Sequence, residues 1–385
     1  TVSRISSTDK RAVRQMDALL EKEGIERDKN LDYSIGLFDE NYDLVATGSC
    51  FANTLRCMAV SSEHQGEGLM NQVISNLIEY QYSRGNTSLF LYTKCNTARF
   101  FGDLGFYEIA RVEGKVVFME NRRTGFADYL KRLQKETTAF FESEKGQALL
   151  TKNKKLAQSA ANTADAAPAS RGTDQIAKIG AVIMNANPFT LGHRYLLEQA
   201  AAAVDLLHVF VVSEDASLVP FSVRKQLVAE GSADLPNVIC HETGPYMISN
   251  ATFPSYFLKD SDTVIRSHAK LDIQVFLRIA QALSLTDRFV GEEPFSQVTG
   301  IYNQVMAEEL AAAGLGCHII PRKTDEEGAI SASDVRCLIQ DGNFEALKKK
   351  VPACTFQYFT SEAAEPVIQK IRAAAEVRIS LLSDA

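Results

Sequence analysis

Residues 185–193, NANPFTLGH, bring Thr190, Gly192 and His193 together just after an apolar run, IGAVIM, and just before a segment with helical spacing. A strand ending this way delivers Asn185 and Asn187 to a sheet edge, and Pro188, which lacks a ladder N–H, stops the pairing there. Gly192 gives a phosphate room to approach the backbone. His193 falls in the first helical turn, where unpaired amides and the helix dipole favour negative charge. A second stretch, ISASDVR at 330–336, has the same competence. Ser331 or Ser333 caps a helix whose first amides and hydroxyls face an anion, and Arg336, one turn on, can fork onto a phosphate. Two anion sites at two strand-to-helix junctions suit a triphosphate, one end each. A third stretch, EHQGEGLM at 63–70, puts Gly66 and Gly68 ahead of a helix, the pattern of a loop that receives a pyrophosphate.

The elements that must position these residues fall into two groups. After residue 176 the chain alternates: apolar strands fit 178–184, 206–213, 237–240, 287–290 and 317–320, and helical patterns fit 192–204, 221–231, 271–284, 298–313 and 334–349. Alternation of this kind predicts a parallel sheet with helices on both faces and ligands at the carboxyl ends of its strands. Before residue 126 the reading is mixed. A hairpin spans 33–38 and 43–48, strands fit 54–60 and 88–93, a helix fits 67–83, and helix 97–103 precedes the strand FYEI. Between them, 126–150 has one apolar helical face. Residues 151–175, rich in Ala, Ser, Thr and Asn, read as a linker. The expected domains are thus 1–125, a connector at 126–175, and 176–385.

Strand, EHQGEG loop, helix, then SLFLYT and RFFGDLGFY at 99–107 together resemble the acyl-CoA N-acetyltransferase superfamily, with Glu63 where Gln or Arg is usual. The pair T-x-G-H and I-S-x-S-x-x-R resembles the HxGH nucleotidylyltransferase superfamily, with Thr190 in place of its first His. The resemblance implies an α/β fold: an acetyltransferase-like α+β domain followed by a Rossmann-like parallel-sheet domain. It also implies a site that binds ATP with Mg²⁺, in which His193, Thr190 and Arg336 are catalytic and Ser331 and Ser333 hold phosphates. Asn185, Asn187, Phe189, Gly192, Arg224, Gly291 and Glu292 join them as candidate nucleotide-site residues, with Glu293 a further acid of the same loop. Phe189, Tyr246, Phe253 and Tyr256 are candidates for shaping a small pocket.

With ATFPSYFLK (251–259) and VGEEPF (290–295) added, the whole resembles the acetate–citrate lyase ligase family. That implies activation of acetate as acetyl-adenylate with release of pyrophosphate. The acetyl group then passes to the thiol of a CoA-like prosthetic group on the acyl carrier subunit of citrate lyase, giving AMP. Gly66 and Gly68 would receive the prosthetic arm. Three alternatives stay open on the residues alone: a dinucleotide-forming nucleotidylyltransferase with a phosphopantetheine or mononucleotide acceptor, an N-acetyltransferase, and a non-catalytic docking protein.

Composition narrows the classes further. Net charge is -7, from 41 basic and 48 acidic residues, which disfavours non-specific nucleic-acid binding. The seven cysteines form no CxxC pair and read as reduced thiols. His208, His241, His268 and His318 lack metal-ligand spacing and read as structural, so no protein-held metal is expected; Asp262 and Asp272 read as solvated. No signal peptide or membrane-length apolar run is found, so a cytoplasmic protein is expected.

Overall fold

The computed structural model describes residues 1–162, 177–247, 261–292 and 297–383. The chain divides into two compact units, Thr1–Asp128 with Ile248–Val275, and Tyr129–Met247 with Phe276–Ala385.

The first unit holds a seven-stranded sheet: β1 (Val2–Arg4), β2 (Tyr33–Phe38), β3 (Leu44–Phe51), β4 (Thr54–Val60), β5 (Phe90–Thr93), β6 (Tyr107–Val112) and β7 (Val116–Glu120), in the order β1-β2-β3-β4-β5-β7-β6. Every pairing is antiparallel except β4 with β5. Helix Lys10–Lys22 starts on Asp9, whose carboxylate accepts the Arg11 and Ala12 amides. It buries Ala12, Met16, Leu19 and Leu20, the spacing of a single apolar stripe. Helix Leu69–Ser83 buries Val73, Ile74, Leu77 and Gln81. A bulge in β4 sorts the residues between two cores. Two steps of β3, from Thr47 to Ser49, oppose three of β4, from Ala59 to Arg56, and Cys57 adopts φ 50°. The side-chain alternation therefore skips: Leu55, Met58 and Val60 face one core while Cys57 and Ala59 face the other. Beyond the bulge β4 also leaves β5. Only Thr54–Phe90 and Leu55–Leu91 pair, so the two parallel strands part toward their carboxyl ends.

The second unit holds a five-stranded sheet: β8 (Ile179–Met184), β9 (Leu206–Val211), β10 (Val238–Glu242), β11 (Asp287–Gly291) and β12 (Gly316–Ile320), in the order β10-β9-β8-β11-β12 and parallel throughout. Chain order reverses between β8 and β11. This is the Rossmann arrangement, and the carboxyl edge at that reversal is where such sheets open a crevice. One face packs Val182, Met184, Leu207, Val209 and Phe289 against helices Leu191–Ala203 and Phe221–Gly231. Helices Ala332–Asp341, Phe344–Lys348 and Ala353–Phe359 contribute to a separate cluster around Val335, Ile339, Leu347 and Phe359.

Several elements differ from the sequence reading. Residues 126–150 form two helices, Gly125–Glu142 and Glu144–Lys152, because Ser143 caps the second. The segment read as linker from 151 begins with a helix, Lys154–Asn162, and buries Leu156. Strands β1 and β7 and helices Lys10–Lys22, Ala353–Phe359 and Glu365–Ser383 have no counterpart in the sequence reading, and the helical pattern at 334–349 is two helices, Ala332–Asp341 and Phe344–Lys348.

Candidate functional site

The carboxyl end of β8 leads through Asn185–Phe189 into helix Leu191–Ala203, and the Asn187–Pro188 peptide is cis. Thr190, 1% exposed, is the N-cap. Its Oγ1 accepts the His193 amide at 3.3 Å, and the His193 ring folds back so that Nδ1 lies 3.1 Å from the Thr190 amide and 2.9 Å from Thr190 Oγ1. This reciprocal cap fixes the imidazole's chemistry. Nδ1 accepts a backbone N–H, so in the neutral ring the proton sits on Nε2. Burial, helped by the nearby positive charge of Arg322, lowers the His193 pKa from 6.5 to about 4. His193 is therefore neutral at physiological pH and offers Nε2–H as a donor.

The cap also uses most of the amides that the sequence left open. Leu191 N–H goes to Lys350 O at 2.9 Å and His193 N–H to Thr190. Among the first three helical amides, Gly192 alone has no acceptor among the described residues. At Gly192 a Cβ would stand 3.2 Å from the Ile330 carbonyl. The glycine lets the two motifs abut.

At the second motif Ser331 caps helix Ala332–Asp341 by accepting the Asp334 amide at 3.0 Å. The Ala332 and Ser333 amides have no acceptor among the described residues. Arg336 donates to Asn187 O at 2.6 Å and to Ser333 Oγ at 3.0 Å, which ties the helix to the β8 loop. Asn187 Oδ1 in turn accepts the Val219 amide at 2.9 Å. The structure thus brings together Asn187, Thr190, Gly192, His193, Ser331, Ser333 and Arg336. Gly291 closes β11, where a Cβ would lie 4.0 Å from Leu196, and exposed Glu292 follows it.

Three candidates are buried side chains: Arg224, Phe189 and Tyr246. Arg224 is fully buried, with its donors engaged inside the fold. Its Nε donates to Val219 O (2.9 Å), its Nη1 to Asn185 O (2.9 Å), Asn185 Oδ1 (2.9 Å) and Val212 O (2.7 Å), and its Nη2 to Glu214 O (2.6 Å). It is the post that holds the loops after β8 and β9, and through it Asn185 is positioned. Phe189 is also fully buried, packed against Gly231 and His193, with its carbonyl accepting Thr355 Oγ1 at 2.9 Å. It supports the histidine ring by stacking against it. Tyr246 is likewise a core residue, set against Tyr129. Phe253, Tyr256 and Glu293 lie outside the described residues.

Sequence reasoning missed Arg322 and Lys323. Both follow β12 at the same carboxyl edge. Arg322 Nε donates to Glu292 O at 2.9 Å, and Lys323 lies over the Tyr195 ring. The signal was available: a basic pair directly after a strand whose carboxyl end was already placed at the ligand edge. Among the described residues no group of three His, Cys, Asp or Glu side chains is arranged to hold a metal. His208 and His241 instead form a buried chain, His208 Nδ1 to His241 Nε2 at 2.8 Å and His241 Nδ1 to Glu136 at 2.5 Å. All seven cysteines are free thiols. No helix among the described residues is long and apolar enough to cross a membrane.

In the first unit, Gly68 (φ 73°) precedes helix Leu69–Ser83 and Gly66 has φ 90°. A Cβ at either would meet nothing within 4 Å, so packing does not demand glycine there; the backbone conformation does. Glu63 pairs with Lys22 at 3.4 Å.

A family model described as the citrate lyase ligase C-terminal domain matches residues 179–359. Citrate (pro-3S)-lyase ligase of Haemophilus influenzae is 34% identical over 358 residues, covering 91% of this chain and 96% of that protein. The enzyme of the same name from Escherichia coli strain K12 is 35% identical over 342 residues, covering 86% and 87%. Among solved structures, an aminoglycoside 6'-N-acetyltransferase complexed with coenzyme A is 13% identical, covering 31% of this chain and 95% of that chain, with a TM-score of 0.28. That likeness carries no argument, and the fold stands on the strand orders above. With relatives this similar along most of its length, and with both motifs at the reversal point of a parallel sheet, the chain belongs to the citrate lyase ligase family of AMP-forming ligases.

Proposed function

We propose that the protein activates acetate with ATP and acetylates the thiol of the CoA-like prosthetic group on the acyl carrier subunit of citrate lyase, in a cytoplasmic setting. The observation that carries this reading is the meeting of Thr190–His193 with Ser331–Arg336 at one sheet edge in a chain of this family. An acetate oxygen attacks the α-phosphorus, the bond to the bridging oxygen breaks, and pyrophosphate leaves with that electron pair. His193 Nε2–H and the Gly192 amide donate to phosphate oxygens around the reacting phosphorus. The Ala332 and Ser333 amides, with Arg336 and Arg322, hold the departing phosphates. Neutral donors held in place before the substrate arrives stabilise developing charge without reorganising. Mg²⁺ fits as the partner of ATP's phosphates rather than as a resident of the protein, because the side chains gathered here are donors and cations; bound to ATP, it neutralises the leaving pyrophosphate. The carrier thiol then attacks the acyl carbon, loses its proton, and AMP leaves.

The parting of β4 from β5 beside the Gly66–Gly68 turn supports the first unit as the receiver of the prosthetic arm. Full-length Gly66→Val/Gly68→Val is expected to raise the KM for carrier while leaving adenylation intact; an unchanged KM for carrier removes the arm from this cleft. The reaction itself is tested by acetate-dependent ATP–pyrophosphate exchange with Mg²⁺. Exchange is expected in the wild type and is expected to fall by about 10²–10³ in His193→Ala. Exchange that requires a phosphorylated acceptor instead of acetate overturns the proposal in favour of a dinucleotide-forming enzyme.

A further inference from the structure

We propose that Lys350 is a positioning residue that fixes the two phosphate-gripping motifs relative to each other; the proposal rests on the ATP-site reading above. Lys350 lies past the end of helix Phe344–Lys348 and is 8% exposed. Its two ends hold different motifs. Its carbonyl accepts the Leu191 amide at 2.9 Å, at the first residue of the helix that carries His193. Its ammonium lies 2.7 Å from Asp325 and 2.7 Å from Glu327. Those acids belong to the small hairpin Thr324–Asp325 and Gly328–Ala329, which runs directly into Ile330 and the Ser331 cap. The Ile330 amide closes that hairpin onto Lys323 O at 3.0 Å. One residue therefore grips the first motif by its main chain and the approach to the second by its side chain.

Neither grip enters the ligand space, so Lys350 acts through the motifs and not on the substrate. The tolerance it governs is narrow, because a Cβ at Gly192 would stand 3.2 Å from the Ile330 carbonyl, closer than ordinary van der Waals contact. A lysine suits the task. Its long stem is buried while its head sits between two carboxylates, and a point charge with three donors can satisfy both. Loss of the ammonium leaves Asp325 and Glu327 to repel each other and frees the hairpin. The spacing between the Gly192–His193 donors and the Ala332–Ser333 amides is then no longer set, and a triphosphate that needs both ends held loses affinity.

The test uses full-length Lys350→Met, which keeps the apolar stem, Lys350→Arg, which keeps the charge, and Asp325→Asn/Glu327→Gln, which removes the partners. MgATP affinity is measured by equilibrium dialysis, the KM for ATP and kcat by acetate-dependent exchange, and the melting temperature alongside. Lys350→Met is expected to raise both Kd and KM for ATP by about tenfold or more, with kcat within about threefold. Lys350→Arg is expected to recover most of the loss, and the double variant to reproduce it. Unchanged Kd and KM in a folded Lys350→Met, even with a lower melting temperature, would overturn the proposal and leave Lys350 a brace of stability alone. If Lys350→Met does not fold, the other two variants decide by the same readings. Wild-type binding of MgATP without acetate-dependent exchange refutes the reaction while leaving the Lys350 comparison readable by Kd.

Discussion

Thr190→Val is the sharpest perturbation of the histidine, because it keeps the β-branched shape of a buried side chain and removes one oxygen. That oxygen accepts the His193 amide and lies 2.9 Å from His193 Nδ1. Loss of an N-cap acceptor costs about 1 kcal/mol. Loss of the hydroxyl–imidazole bond costs about another 1 kcal/mol. The position is only 1% exposed, so water does not replace either. A stability loss of about 2 kcal/mol is therefore expected, read as a shift of the denaturant midpoint with unchanged slope. The catalytic effect is smaller than removal of the imidazole. The Thr190 amide still donates to Nδ1 at 3.1 Å, so the Nε2–H tautomer survives and only the ring's rigidity falls. Exchange is expected to drop by about tenfold, against about 10²–10³ for His193→Ala. A Thr190→Val protein with wild-type stability would refute the reciprocal cap. One as inactive as His193→Ala would refute the assignment of the tautomer to the backbone amide.

Three further outcomes follow from the same geometry. Arg224→Met is expected to cost about 3 kcal/mol, since one buried and three part-buried carbonyls lose their charged donor; wild-type chemical stability would refute the scaffold role of Arg224. Gly231→Ala puts a Cβ 2.4 Å from Phe189 Cε1, and overpacking of about 1–3 kcal/mol is expected, with a displaced His193 and reduced exchange; an unaltered melting temperature would show that Phe189 is not held there. For pH, the folded His193 titrates near 4 against 6.5 in its unperturbed form. Between those values the unfolded chain binds a proton that the folded chain refuses. Stability from this group is complete above about pH 6.5 and declines as pH falls toward 4, by at most about 3 kcal/mol less the screening its partial exposure allows. His193→Ala should show a correspondingly shallower loss between pH 7 and 4.5, and equal slopes would contradict a neutral buried imidazole.

Much of this was legible because the signals were local. Helix Leu69–Ser83 follows from its spacing and strand Ile179–Met184 from its apolar run, and the two phosphate motifs are short stretches whose caps are their own residues. What spacing could not supply was the partner of each polar group. Arg224 sits in a helix with no pronounced apolar stripe, so nothing nearby indicates that it points inward. It does so because carbonyls 5, 10, 12 and 39 residues away need a donor. The bulge at Cys57 was invisible for a similar reason: it exists only relative to β3. Phe189 illustrates the reverse case, in which nearness in sequence to His193 suggests a ligand contact and the structure packs the ring inside, against the histidine.

The charge layout explains how a chain of net charge -7 can grip a polyanion. An anionic surface at large does not prevent a local positive crevice. Here the cations differ by depth. The fully buried one, Arg224, spends its donors on backbone carbonyls and serves as scaffold. The half-buried ones, Arg322 and Arg336, anchor through a backbone carbonyl each, Glu292 O and Asn187 O, and so stand at fixed places on the rim. Between them His193, the donor proposed to face the reacting phosphorus, is kept neutral by burial and by Arg322. Holding the central donor uncharged avoids a desolvated cation without a partner in the free enzyme, while the rim supplies the long-range attraction. A positively charged His193 would bind ATP more tightly in the ground state. A neutral one leaves more of the electrostatic stabilisation to be realised as charge moves onto the leaving pyrophosphate, which is the part of binding that raises kcat.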